Sequence, residues 1–248
     1  MRMRAASLLA ALALVTCAGI GMGAAPQGRI VDVRAIGIIS AFGDDFTVKT
    51  IGPTILHNDE KTIPVTAWGI DDGVVRKLKA RLSRRYDVRP LTYKRAAFAA
   101  RRIRVPRGDF FGNNPIAELV RSEVSPQGLD AYLVVTSAAS TVGNVGQSAG
   151  GIGIVARNAG VFGSVNEVHA LYALRLFDGR QLALMAEATA PRTGDASPLF
   201  LNGPSRVVDG SYVPTAGDAV GNDRLRLAVN ELIDRSLPDV LQQLQLIP

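Results

Sequence analysis

The run Ala131-Tyr132-Leu133-Val134-Val135-Thr136 is apolar on both of the faces a strand would present. Successive strand residues point to opposite sides, so a segment like this belongs inside a sheet, and it predicts a central strand. The rest of the chain must then supply neighbouring strands and covering helices. Composition allows it: 47% of the 248 residues are hydrophobic, which excludes a wholly disordered chain. Only 6% are aromatic, so the packing rests on Val, Ile, Leu and Ala. The length suits one domain with a sizeable core.

Further elements follow from periodicity and punctuation. Residues Arg29 to Ser40 read as a first strand and, after a Gly43-Asp44-Asp45 turn, Phe46 to Ile51 as a second. Beyond Gly52-Pro53, residues 55–59 read as an edge segment or loop. Asp71 or Asp72 is placed to cap a helix with Val74, Val75, Leu78 and Leu82 as its apolar stripe. Trp68 would staple that helix to the core. Val88 to Tyr93 predicts a short strand, and Lys94 to Arg102 a helical stretch. Asn114-Pro115 opens a helix with Ile116, Leu119, Val120 and Val124 inward. Residues 143–163 read as a Gly-rich loop. Asp178-Gly179 predicts a two-residue hairpin turn pairing Phe177 with Arg180, Leu174 with Ala183 and Tyr172 with Met185. It puts Tyr172, Leu174 and Leu176 on one face and Leu171, Ala173 and Phe177 on the other. Residues 191–221 read as a surface excursion. Asn222 or Asp223 caps a long C-terminal helix, which Pro238 interrupts and Ser236 caps again. The predicted class is α/β: a mixed sheet of short strands with a β-hairpin, and helices packed on it.

The N-terminus carries an address. Arg2 and Arg4 precede the uncharged apolar run Ala5 to Ala18, and small residues follow from Gly19 to Ala25. This is the pattern of a signal peptide over residues 1–25, leaving 26–248 as a single exported domain. The run is shorter than the roughly 20 residues that a membrane span needs, and no later stretch reaches that length. Leu14-Val15-Thr16-Cys17 faintly matches a lipobox, but Thr16 stands where Gly, Ala or Ser is usual. Soluble export to the periplasm or medium is therefore favoured over lipid anchoring at Cys17. That cysteine is the only one, so the mature chain is expected to hold no disulfide and no thiolate metal site. No cofactor is expected.

Three features taken together carry a resemblance: a first strand after the leader, a helix leading to Tyr86-Asp87-Val88, and Asp130 to Val135 ahead of Phe177-Asp178-Gly179. In this order the chain resembles exported bacterial envelope proteins that include the curli-secretion lipoprotein and the lipoprotein activators of penicillin-binding proteins. The resemblance spans roughly half the mature chain. It implies an envelope adaptor without catalysis, a fold-level analogy.

Two motifs point to catalysis or cofactors. Gly146-Gln147-Ser148-Ala149-Gly150 matches the G-x-S-x-G elbow of serine hydrolases, which needs a strand-to-helix turn at Ser148 followed by an acid and a histidine. Only His169 follows, and residues 151–155 read as strand or loop, so a serine hydrolase is the alternative and not the leading reading. Gly151, Gly153 and Ala156 fit a relaxed dinucleotide fingerprint, but the glycines at 160 and 163 leave no helix to meet a pyrophosphate. The acid pairs Asp44-Asp45 and Asp71-Asp72 are explained by turn and cap chemistry. His57 in a loop and His169 in a strand carry no pattern.

Charge is the remaining signal. Between Arg76 and Arg107 there are thirteen Lys and Arg and one acid, Asp87. The net charge of the whole chain is only +6, so the molecule is strongly polarised. The residues singled out for contact with an anionic surface are Arg76, Lys77, Lys79 and Arg84, on the polar face of the predicted helix. Tyr86, Tyr93 and Phe98 are interleaved as stacking groups. For an exported chain the expected partners are a cell-envelope protein or an anionic surface of lipid or lipopolysaccharide, with nucleic acid unlikely. The competing explanation is internal pairing of these cations with the protein's own acids.

Overall fold

The computed structural model describes residues 30–100, 115–124, 127–143, 146–158, 163–194, 197–214 and 219–248. The expected signal peptide over 1–25, with Cys17, lies outside them, as do Arg101, Arg102, Arg104 and Arg107 of the basic stretch. The strands are β1 Ala35–Ala41, β2 Asp45–Ile51, β3 Asp59–Pro64, β4 Asp87–Arg89, β5 Ala131–Ser137, β6 Ala139–Val142, β7 Gln147–Asn158, β8 Ser164–Asp178, β9 Leu184–Thr189 and β10 Ser205–Val208. The helices are α1 Ile70–Leu82, α2 Arg95–Ala100, α3 Pro115–Glu123 and α4 Asp223–Gln243. This is a mixed α/β sheet with a long C-terminal helix.

The 15-residue β8 is the spine. Its second half pairs antiparallel with β5, which continues through parallel β1 to parallel β4. Its first half pairs antiparallel with β7, which continues through parallel β2 to the antiparallel edge strand β3. β9 and β10 line the other edge of β8. The sheet thus splits into two leaves, β5-β1-β4 and β7-β2-β3, with β1 and β2 running the same way on either side of the corner at residues 42–44. The neighbour of β8 changes at Leu171, whose carbonyl accepts from Ala138 N, while the Ala138 carbonyl accepts from Gly151 N. Gly151 has φ +61°, a conformation that a residue with Cβ adopts only under strain, and this lets β7 turn from β6 onto β8.

Apolar side chains fill both faces. Ile36, Leu133, Tyr172 and Leu174 pack with Val74, Leu78 and Leu82 of α1 and with Val229, Ile233 and Leu237 of α4. On the opposite face, Ile39, Tyr132, Val134 and Phe177 of the first leaf meet Phe98 of α2 and Ile116 and Val120 of α3. There the second leaf is covered by Val142 of β6 and by Leu199 and Leu201. β5 is buried from Ala131 to Thr136, as its composition predicts. The faces assigned to β8 also hold, with Tyr172, Leu174 and Leu176 toward the long helix and Phe177 and Leu171 in the other clusters.

Several expectations are corrected. The hairpin exists, but residues 179–183 connect its strands: Phe177 pairs with Leu184 and Leu174 with Ala188, with a bulge between Leu176 and Phe177. Asp178 builds the longer turn by accepting from Arg180 N and Gln181 N, while Gly179 N donates to the Asp130 carbonyl. The supposed Gly-rich loop 143–163 is mostly β7, because a strand can use glycine where a neighbour approaches closely. Residues 191–221 are not only a surface excursion, since they supply β10 and the buried Leu199 and Leu201. β1 starts at Ala35, after a 3-10 turn over Ile30–Asp32. The strand expected over 88–93 is confined to Asp87–Arg89. Neither Asp71 nor Asp72 caps α1: Gly69 is the N-cap and both acids lie in the first turn. Asn222 does cap α4, accepting from Leu225 N at 3.1 Å. Pro238 does not interrupt α4. The carbonyl whose helical donor it removes belongs to Asp234, an exposed residue whose carbonyl need not be buried without a partner. Ser236 therefore caps nothing, and it bonds to the Leu232 carbonyl and to Tyr172 instead.

Candidate functional site

A cleft of about 400 Å³ opens where the two leaves part, lined from the β1–β2 corner, the β5–β6 junction, β7 and β8. Thr47 and Lys49 of β2 line it, alternating with Phe46 and Val48, which face the α1 and α4 core. The cleft is therefore on the sheet face opposite those helices. Lys49 is buried, and its Nζ donates at 2.8 Å both to Glu60 Oε2 and to the Ser148 carbonyl. This charge is neutralised by one carboxylate and fixed by one backbone dipole, as a buried cation requires.

His169 forms part of the lining and is only 1% exposed. Its Nδ1 lies 3.1 Å from the Gly151 carbonyl. A carbonyl can only accept, so Nδ1 carries the proton and Nε2 the lone pair. Burial, reinforced by the charge of Lys49 and opposed by the Gly151 bond, pushes the imidazole pKa down to about 4. The ring is therefore neutral at neutral pH. It lies over Gly153, where a Cβ would stand 3.0 Å from Nε2 and 2.4 Å from the Thr47 carbonyl. Only glycine fits between β2 and this imidazole. At the corner, Asp44 and Asp45 also line the cleft. Burial chiefly, with the neighbouring charge of Asp71, holds the Asp44 carboxyl above its usual pKa, although Arg95 opposes this.

Ser148 lies within β7 opposite Thr141 of β6. It is a ladder residue of a hairpin and has no strand-to-helix elbow, so the hydrolase geometry is not formed. Of the predicted basic residues, Arg76, Lys77 and Lys79 are on α1 and Arg84 lies in the turn that follows it, since the helix ends at Leu82. Arg76, Lys79 and Arg84 are exposed, and none forms an ion pair with a carboxylate among the described residues. Lys77 differs: it is half-buried and pairs with Asp234 of α4 at 2.9 Å. Internal pairing also takes Arg89, bound to Asp87 at 2.8 Å, and Arg95, bound to Asp72. The proposed stacking groups are corrected. Tyr86 and Phe98 are buried, and Tyr93 packs edge-on against Phe98 and accepts from Ser40 N.

Sequence reasoning missed the buried charges on the strands. Arg175 donates at 2.7 Å to Thr136 Oγ1 and to Glu187 Oε1. Glu167 accepts from the Ser197 hydroxyl at 2.9 Å. Their signal is a charge placed at an inward position of an apolar strand, visible only once the alternation of β8 is fixed. Asp71 is buried too, and accepts from the Ser40 hydroxyl and from the Phe42 and Gly43 amides.

No family model matches the sequence, and no curated protein is significantly similar to it. Solved structures with a related chain path do exist. A Helicobacter pylori protein described as a neuraminyllactose-binding hemagglutinin homolog is 9% identical over 86% of each chain, with a TM-score of 0.39. A Xanthomonas campestris protein of the DUF330 family is 9% identical over 86% of this chain and 84% of that one, with a TM-score of 0.35. A lipoprotein from Neisseria meningitidis is 15% identical over 81% of this chain and 99% of its own, with a TM-score of 0.27. At such scores the likeness does not extend to function. No described helix is long and apolar enough to cross a membrane.

Proposed function

We propose that this chain is a non-catalytic binding or adaptor protein of the bacterial cell envelope, exported as residues 26–248 and meeting an anionic surface through its basic segment. The observation that supports the reading is the outer face of α1 and the turn after it, where Arg76, Lys79 and Arg84 stand in solvent without acidic partners among the described residues. Each cation near an anionic lipid surface contributes about 1 kcal/mol, so several acting together give useful attraction. The N-terminal pattern of Arg2, Arg4 and the apolar run supports export. The resemblance to the curli-secretion and penicillin-binding-protein-activator group supports an adaptor role.

The test is co-sedimentation of the mature protein with phosphatidylglycerol vesicles. Wild type should bind at low salt and be released as ionic strength rises, because the Debye length shortens to about 8 Å at 0.15 M. Changing Arg76, Lys77, Lys79 and Arg84 together to Gln should abolish binding while the far-UV spectrum stays native. Binding that survives both the substitution and high salt, or wild type that never binds, removes this reading. Retention of a cell-envelope protein by such non-binding wild type would point to the adaptor role alone.

A further inference from the structure

The segment that covers the second leaf with Leu199 and Leu201 runs on into Asn202-Gly203, the only Asn-Gly pair in the sequence. It is pinned on both sides of that pair. Leu201 is fully buried, and its N–H donates to Ser197 Oγ at 2.9 Å. Asn202 N donates to Ser140 Oγ at 2.8 Å, and the Pro204 carbonyl accepts from Ala170 N at 2.9 Å. Phe200, two residues before Asn202, is held at φ +57°, a left-handed backbone that strains a bulky residue.

Within this anchored stretch Asn202 is exposed, and its side chain has a charged partner: Arg192 Nη2 donates to it at 2.8 Å. A guanidinium has no acceptor, so the atom that faces it is the amide oxygen, Oδ1. The positive charge draws electrons from the amide carbon, Cγ. It also faces the oxygen on which negative charge develops when a nucleophile adds to that carbon. The nucleophile within covalent reach is the backbone nitrogen of Gly203, since joining it to Cγ closes a five-membered ring. Glycine has no side chain to shield that nitrogen. Packing accounts for the glycine, because a Cβ there would stand 2.5 Å from Leu171 Cδ2.

We propose that Asn202 is a site of self-modification, at which Arg192 promotes attack of the Gly203 nitrogen on Asn202 Cγ. The N–Cγ bond forms as the Gly203 proton passes to solvent. The Cγ–Nδ2 bond breaks as Nδ2 takes up a proton and leaves as ammonia. Water then opens the resulting succinimide. Breaking the new N–Cγ bond leaves an aspartate. Breaking the bond from the backbone carbonyl carbon to the Gly203 nitrogen leaves an isoaspartate, with one more methylene in the main chain. The sum is one water consumed and one ammonia released, so the step needs no oxidant, cofactor or second enzyme. Either product puts a carboxylate beside Arg192, and the isoaspartate lengthens a segment fixed at Leu201 and Pro204. The site uses no residue of α1, so this modification and vesicle binding stand or fall separately.

The mature protein is incubated folded in mildly alkaline buffer, and peptide mapping by mass spectrometry follows each asparagine while released ammonia is measured. The expected result is conversion at position 202 ahead of every other asparagine, with isoaspartate detected there by isoaspartyl methyltransferase labelling. Arg192→Gln, at an exposed position, should keep the native far-UV spectrum and slow the conversion about tenfold, because the charge facing the oxyanion is gone. Asn202→Gln should remove the signal, since its side chain would have to close a larger ring. The proposal is overturned if position 202 remains an amide in the folded protein, or if Arg192→Gln converts as fast as wild type. It is also overturned if unfolding in urea speeds the conversion, which would mean that the fold protects the pair.

Discussion

The carboxylate of Asp71 accepts a 2.6 Å hydrogen bond from the Ser40 hydroxyl, joining the first turn of α1 to the end of β1. The same carboxylate accepts from Phe42 N at 3.0 Å and Gly43 N at 3.2 Å, so it organises the corner between the two leaves. Asp71→Ala would leave three buried donors unpaired, and the expected loss is about 3 kcal/mol or more. Ser40→Ala removes one bond and should cost about 1 kcal/mol. Urea denaturation of both variants checks the ranking, with an unchanged slope showing that only stability moved.

His169 makes stability depend on acid. Its folded pKa of about 4 is below the ordinary 6.5, so the unfolded chain takes up the proton first. Stability is then fully present above pH 6.5 and is lost as pH falls from there through about 4. The loss attributable to this ring is about 3 kcal/mol at its limit. His169→Gln should flatten the stability profile over that window, which denaturation midpoints at a series of pH values would show. A profile as steep as that of wild type would mean that the imidazole is not buried in its neutral form.

The buried guanidinium of Arg175 depends on Glu187, with Thr136 as the second acceptor. Glu187→Ala strands a positive charge inside the sheet and should cost about 3 kcal/mol. Adding Arg175→Met to that variant should recover much of the loss, since an apolar side chain of similar length needs no partner. Thermal unfolding of the two variants decides the order.

Lys77 and its exposed neighbours should separate in their effects. Lys77→Gln breaks the 2.9 Å pair with Asp234 and is expected to lower stability by about 0.5 kcal/mol with little change in vesicle binding. Arg76, Lys79 and Arg84 changed together to Gln should do the reverse. Equal loss of vesicle binding in both would show that the four cations act as one diffuse charge.

Local periodicity made the elements legible where one or two faces are apolar. α1, α3 and α4 show their stripes at helical spacing, and β5 shows none of the polar alternation of an edge strand. What local pattern could not supply was pairing. Asp178-Gly179 has the composition of a tight turn, yet Gly179 is held against Asp130 and the turn lengthens around it. Gly150, Gly151 and Gly153 read as loop residues because their function depends on strands far away in sequence. Gly153 is explained only by Thr47 and His169, which neighbour it on either side. The basic face of α1 and the following turn was legible from spacing, including three residues that have no acidic partner among the described residues, but the pair between Lys77 and Asp234 joins positions 157 apart in the chain. The cleft was invisible for the same reason, since its walls come from seven strands and the turns between them.

β8 separates two times in the life of the chain. β5 follows β1 by some ninety residues but has no neighbour on its other edge until residues 172–178 exist, and β7 waits likewise for 164–171. A growing polypeptide therefore passes about two thirds of its length with both leaves open-sided, and closes them on a single late segment. Non-local pairing of this kind slows folding. Were the chain exported as proposed above, such a delay would work in its favour, because a translocation channel would receive it still unfolded and the sheet would close on the far side.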